Sequence, residues 1–316
     1  MIKLKSIRIQ NFRSIIDETI AVDDMTVFCG INDVGKSNAL RALRRFFDPQ
    51  PFTTFALDYT KDPRVQKAKK KKAVSVTLIF SIPFNYSTPG YEGNEKGVRT
   101  AEWTVSWNDE RVITNEIVHG DGSPLGKNSR IGSAVRATRL FYVPAIKDGR
   151  FFTTLRRWLH DALLESGSEE FRNASAQLVS TVDTSIASLL DGIGAITGQK
   201  DTLNLPEDLS DFFSALDFQG LDGVYLDERG DGLRIHQIPL LLKFICGEIA
   251  SNSAKGRPKP LFLWAFEEPE NCLEMTRAEE MRQVLLDEIR QTYLKFLSRH
   301  IRQCLWRKGR VFLTSQ

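Results

Sequence analysis

Gly30-Ile31-Asn32-Asp33-Val34-Gly35-Lys36-Ser37 spells G-x-x-x-x-G-K-S, set between the apolar run Met25 to Cys29 and a helical pattern from Asn38 to Phe47. Strand, glycine-rich loop and helix in that order make a phosphate-binding loop. Its glycines let backbone N–H groups curl around phosphates, Lys36 neutralises their charge, and the Ser37 hydroxyl can ligate Mg²⁺. Gly30, Asn32, Asp33, Gly35, Lys36, Ser37 and Asn38 are therefore the candidate nucleotide ligands. Many enzyme classes share this loop, so it does not name the reaction. A guanine-reading N-K-x-D tetrapeptide is absent from the sequence, which favours ATP.

Far downstream, Leu261 to Phe266 runs without a charge into Glu267-Glu268-Pro269-Glu270. Such a run reads as a buried parallel strand ending in acids. In a doubly wound sheet the carboxyl ends of the strands form the ligand crevice, which would bring these acids beside the phosphate loop. Glu267 would then hold Mg²⁺, and Glu268 would polarise the attacking water. A solvated acidic turn after a core strand is the plainer alternative. Between the two motifs, a short strand at Leu221 to Leu226 leads through Arg229-Gly230-Asp231-Gly232 to Arg234 and an apolar helix from Ile238 to Ile249. Glycines at a helix entrance leave an N-terminus that can meet an anion, although a G-x-G alone is usually a turn.

Taken with Ile7 to Ser14 at the start, these segments resemble the ATPase head of the OLD family, within the ABC-type group that also holds SMC-like proteins. The resemblance implies an α/β fold: a P-loop head with a mixed β-lobe, a central mostly parallel sheet and a helical insert. It implies two facing heads, each ATP held by one phosphate loop and capped by Gly230, Asp231 and Gly232 of the other copy. It places Arg13 near the nucleotide. It also implies a switch histidine after the closing strand Val311 to Ser315; Gln316 stands there, and glutamine can hydrogen-bond phosphate or water but carries no charge. Catalytic candidates are thus Glu268, Glu267 and Gln316, with Ser37 and Glu267 as metal ligands.

The whole chain, 1–316, is expected to be one such head, truncated at its C-terminus, with a basic irregular insert at 48–72 and a helical insert at 150–217. Strands are expected at 2–10, 73–82 and in a hairpin across Asn108-Asp109-Glu110. Helices are expected at Phe151 to Leu164, Phe171 to Leu190, Leu209 to Leu216 and along Met275 to Lys308. The formal charge of +3 gives no overall nucleic-acid footprint. Lys67, Lys69, Lys70, Lys71 and Lys72 are the sharpest charge cluster, read either as a solvated loop or as a contact to duplex DNA phosphates. Cys29, Cys246, Cys272 and Cys304 lack metal or C-x-x-C spacing and read as buried reduced thiols. The histidines likewise lack ligand spacing, and no apolar stretch reaches bilayer length, so a cytoplasmic location is expected.

OLD nucleases carry a Toprim domain with an acidic D-x-D motif, and no D-x-D occurs here. The expectation is an ATP-hydrolysing homodimer or higher homo-oligomer that controls a C-terminal nuclease domain or separate effector protein. OLD-like heads act so in Gabija and PARIS antiphage systems. The alternative is an SMC-like DNA clamp in repair, which calls for longer antiparallel helices than the insert offers. A membrane-transporter ATPase ranks last, because Arg229-Gly230-Asp231-Gly232 replaces an S-G-G-Q-like signature.

Overall fold

Alternation and continuity of apolar residues sort the strands into two sheets. In a computed structural model of the chain, the described residues are 2–29, 35–47, 61–64, 73–83, 99–108, 111–165, 223–225, 228, 230–251, 258–269, 271, 273, 275–291, 294–299, 310–313 and short helical stretches between 173 and 187. Two compact units divide the chain: Met1–Lys147, Gly230–Leu240 and Lys255–Gln316 form the first, and Asp148–Arg229 with Leu241–Ala254 form the second.

The first unit holds both sheets. Strands β1 (Lys3–Phe12), β2 (Ile15–Ala21), β4 (Val74–Ile82), β5 (Arg99–Trp107) and β6 (Val112–His119) build an antiparallel sheet in the order β2-β1-β4-β5-β6. Strand β4 alternates strictly between buried and half-buried positions, the signature of a sheet with one covered face. The expected hairpin is present: Asn108 N–H donates to Arg111 O at 3.0 Å, and Arg111 N–H donates to Asn108 Oδ1 at 2.8 Å.

The other sheet is parallel throughout, ordered β10-β3-β9-β8-β7. It comprises β3 (Met25–Cys29), β7 (Arg139–Val143), β8 (Phe262–Glu267), β9 (Leu294–Arg299) and β10 (Arg310–Leu313). Every residue of β3 and β8 is buried, as expected for strands covered on both faces. Helix α1 (Lys36–Phe46) contacts β1 and β4 of the antiparallel sheet and β8 and β9 of the parallel one. Its end anchors the shared core: Phe46 and Phe47 meet the Trp103 ring edge-on, with centroids 4.8 and 5.7 Å away. A short helix α2 (Arg130–Arg136) precedes β7.

In the second unit, α3 (Gly149–Glu165) buries Phe151, Phe152, Leu155 and Trp158, and Phe151 stacks edge-on with Trp158. Helix α4 (Asp231–Ser251) begins in the first unit and continues in the second, with Pro239 inside it.

Three expectations are corrected. The helix expected along Met275 to Lys308 ends as α5 (Met275–Gln291), and Leu294–Arg299 is a strand between β3 and β8. The run Leu-Lys-Phe-Leu satisfies either period, and α5 is the crossover that lets two parallel strands lie side by side. Helix α4 starts at Asp231, earlier than the apolar run at Ile238 suggested. Of the strand expected at Leu221 to Leu226, Gly223, Val224 and Tyr225 are described, and Tyr225 makes only an isolated bridge. The lysines at 67–72, the expected helix at 209–216 and Gln316 lie outside the described residues. Cys29 and Cys246 are buried. Among the described residues no helix is long and apolar enough to cross a membrane.

Candidate nucleotide site

Within the first unit, Gly35 sits at φ 97° and forms the N-cap of α1. No side chain caps this helix, and its first turn carries no acid. A helix N-terminus carries the positive end of the helix dipole and is a favourable place for an anion. Lys36, at the first helical position, is 3 % exposed. Gly30, Asn32 and Asp33 lie outside the described residues.

A second reason for glycine at position 35 comes from the β1–β2 turn. A Cβ on Gly35 would sit 2.8 Å from Ser14 Oγ, which already accepts a 2.9 Å hydrogen bond from Asn38 Nδ2. The turn carrying Arg13 is thus seated on the phosphate loop. Arg13 itself adopts φ 48° and lies over the Phe12 ring. Its Nη2 is 3.4 Å from Asp62 Oδ1, and Arg45 Nε of α1 is 3.0 Å from Asp62 Oδ2. Arg13 N–H donates to Asp62 O, and Arg64 Nη1 donates to Ser14 O. Burial pushes the Asp62 carboxyl above its ordinary range, against the pull of Arg45 and Arg13. The segment 61–64 therefore ties the turn to α1.

At the end of β8, Glu267 is 2 % exposed, and among the described residues its Oε1 has no hydrogen-bond partner. A buried carboxylate oxygen in that state is costly unless a cation completes it. Arg41 Nε of α1 is 3.7 Å from that oxygen, placing the acid against the helix that follows the phosphate loop. The Tyr142 hydroxyl donates to Glu267; burial first, then the charge and hydrogen bond of Glu267, push the phenol well above its ordinary range. Arg44 covers the Tyr142 ring, 5.0 Å from its centroid.

The next residue, Glu268, turns to φ 47°, outside the regions a side-chain-bearing residue prefers. That costs about 1–2 kcal/mol and is characteristic of residues held for function. Its carbonyl accepts from Asn271 N–H at 3.1 Å. Lys147 Nζ donates to the carbonyls of Ala145, Glu267 and Glu268 at 3.3, 3.3 and 3.2 Å.

Gly230, Asp231 and Gly232 form the entrance of α4. Leu233 and Arg234 N–H groups donate to Gly230 O, and Asp231 Oδ1 lies 3.4 Å from Arg234 Nη1, so these contacts stay within the helix. Sequence reasoning missed Arg41, Asp62, Tyr142 and Lys147. Tyr142 and Lys147 flank the Pro144-Ala145 corner, and the conjunction of tyrosine and lysine around a strand end was the available signal.

Among the described residues, no group of three or more His, Cys, Asp or Glu side chains could hold a metal. Mg²⁺ binds through one or two protein ligands together with substrate phosphates. The buried Glu267 carboxylate and the Ser37 hydroxyl are the donors such an ion would take.

Comparison with known proteins bears on the architecture. A family model described as an AAA ATPase domain matches residues 2–120. No curated protein matches the sequence. Among solved structures, an Smc head bound to the C-terminal winged-helix domain of ScpA aligns with TM-score 0.57 and 14 % identity over 99 % of this chain and 94 % of that one. The recombination mediator RecF bound to ATP aligns with TM-score 0.50 and 13 % identity over 99 % and 96–97 % of the respective chains, the lower bound coming from a second nucleotide complex. Stu0660 of Streptococcus thermophilus aligns with TM-score 0.50 and 8 % identity over 98 % of this chain and 75 % of that one. The fold is that of the Smc head and of RecF. At these identities the likeness speaks for the architecture, and the chemistry rests on the residues above.

Proposed function

We propose that this chain binds and hydrolyses ATP in the cytoplasm as a dimeric switch of the OLD type, controlling a nuclease domain or a separate effector in antiphage defence. The observation that carries the ATPase reading is Glu267: a buried carboxylate at the end of β8, ion-paired with Arg41 of α1 and followed by a glutamate in the left-handed region. The AAA ATPase match over residues 2–120 and the ATP-bound RecF relative support it.

Lys36 and the N-terminus of α1 hold the β- and γ-phosphates. Ser37 and Glu267 would hold Mg²⁺, which neutralises charge on the phosphate oxygens. Tyr142 fixes the orientation of Glu267. Glu268 accepts a proton from the attacking water and orients it in line with the γ-phosphate. Arg13, carried by the turn seated on Gly35, adds positive charge from the β-lobe. In a dimer, Gly230, Asp231 and Gly232 of a second copy close over the nucleotide, and Gln316 hydrogen-bonds the γ-phosphate or the water. Without an acidic D-x-D, the chain leaves phosphodiester cleavage to its partner domain or effector.

Light scattering of Glu268→Gln with saturating ATP tests the paired-head arrangement. A stable dimer is expected, and a monomer would contradict it. The alternative, a DNA clamp acting in repair, is favoured by the RecF and Smc likenesses and by the lysines at 67–72. Turnover stimulated by duplex DNA would select the clamp; turnover indifferent to DNA would select effector control.

A further inference from the structure

We propose that Lys147 is a positioning residue: its ammonium holds the Glu267–Glu268 turn and thereby aims the Glu268 carboxylate at the reacting phosphate. The aim assigned to Glu268 rests on the ATPase reading above; the hold itself does not.

The chain inverts the usual placement of side chains just after β7. Ile146 is 77 % exposed, whereas Lys147 beside it is 8 % exposed. A buried lysine is costly unless its charge is met, and lysine is among the residues least often found inside. An ammonium has three N–H donors, and here it reaches three backbone carbonyls, those of Ala145, Glu267 and Glu268. The last two are consecutive. In an extended strand successive carbonyls point to opposite sides, so two of them can converge on one cation only if the chain turns between them. The turn is the one observed, with Glu268 at φ 47°. Nothing in the local sequence supplies that conformation: the residue is neither glycine nor asparagine, and Pro269 follows it. Lys147 supplies a reason from 121 residues away. Together with the Asn271 N–H on the same carbonyl, it over-determines the conformation of the residue after the strand.

Lys147 also touches Ala145 of its own loop, so it couples the end of β7 to the end of β8. Tyr142 does the same for the side chain of Glu267. One loop thus orients both acids, Glu267 through its side chain and Glu268 through its backbone.

The test combines two readouts on the full chain. First, hydrogen exchange without nucleotide is compared between wild type and Lys147→Met over a peptide spanning 262–273. Exchange should rise about tenfold there and stay unchanged in β4. Second, ATP turnover of Lys147→Met should fall on the order of 100-fold in kcat, with KM for ATP within about twofold, because a misaimed group costs rate rather than binding. Lys147→Arg, which keeps charge and donors, should recover at least about tenfold of that loss. In a Glu268→Gln background, Lys147→Met should add no further loss. Unchanged exchange in Lys147→Met overturns the proposal whatever happens to ATP. So does a kcat loss that multiplies in the Glu268→Gln background, or an ATP affinity that falls in step with kcat. A wild-type protein that binds no ATP overturns the ATPase reading and, with it, the aim assigned to Glu268, while the exchange comparison still decides the hold. Should Lys147→Met fail to fold, Lys147→Gln, with its donors on a shorter stem, carries the same comparison.

Discussion

Two helices of the first unit begin in opposite ways. Helix α2 starts at Ser129, in extended conformation, and the Ser129 Oγ accepts from Gly132 N–H at 3.3 Å. Helix α1 starts at Gly35, in the left-handed region, with no side-chain cap. Neither has an acid in its first turn. The first start meets one of its own donors with a side chain of the chain itself. The second opens on a glycine followed by Lys36, so a basic residue and not a capping side chain marks this start. A helix start that is poor for stability is what a phosphate site requires.

This contrast can be broken at several positions. Lys36→Ala should cost the most, removing about 3 kcal/mol of ATP affinity, or more than about a hundredfold in Kd; isothermal titration decides. Gly35→Ala should harm both properties. Alanine at φ 97° costs about 1–2 kcal/mol, and its Cβ would press on Ser14, so denaturant unfolding should show at least that loss alongside weaker ATP binding. Ser129→Ala should remove about 1 kcal/mol of stability and leave ATP binding intact, since that cap serves only its own helix. An affinity loss there as large as for Gly35→Ala would erase the distinction between the two starts.

The smallest effect concerns the edge of the antiparallel sheet. Arg8 donates to Asp17 through Nε and Nη2, and this hydrogen bond holds the Asp17 carboxyl below its ordinary range. A lowered carboxylate pKa contributes stability that is present above the unfolded value and lost as pH falls through the folded one. The stability difference between wild type and Asp17→Asn should therefore be slight at neutral pH and vanish in acid. Unfolding at several pH values checks the sign, and a difference that grew toward low pH would contradict it.

The legible parts of this fold are those whose cause is local. Met25–Cys29 and α1 could be read because a strand pattern and a helix pattern follow one another closely, and Phe262–Glu267 because an uncharged run ending in acids has few other meanings. Strand β4 could be read from its alternation. Strand β2 could not, because it lies at the sheet edge with most of its residues exposed, so Ile-Ile-Asp-Glu-Thr carries no period. The break between α5 and β9 was hidden because the same apolar residues suit both elements. In the site, Glu267 and Glu268 were visible as a string, but what orients them was not. Tyr142, Arg41 and Lys147 reach these acids from distant segments, and Asp62 sits in a stretch whose prolines suggested only an irregular insert. A buried ion pair such as Asp62 with Arg45 leaves no mark on the sequence around either partner.

The most direct test of the central claim is Mg²⁺-dependent phosphate release from ATP, measured side by side on the wild-type chain and Glu268→Gln. Turnover by the wild type, and its loss in a variant that still binds ATP with wild-type affinity, is the predicted result. Equal turnover by the two proteins would contradict the account, because the acid that the β8 turn holds in a costly conformation would then have no part in the reaction.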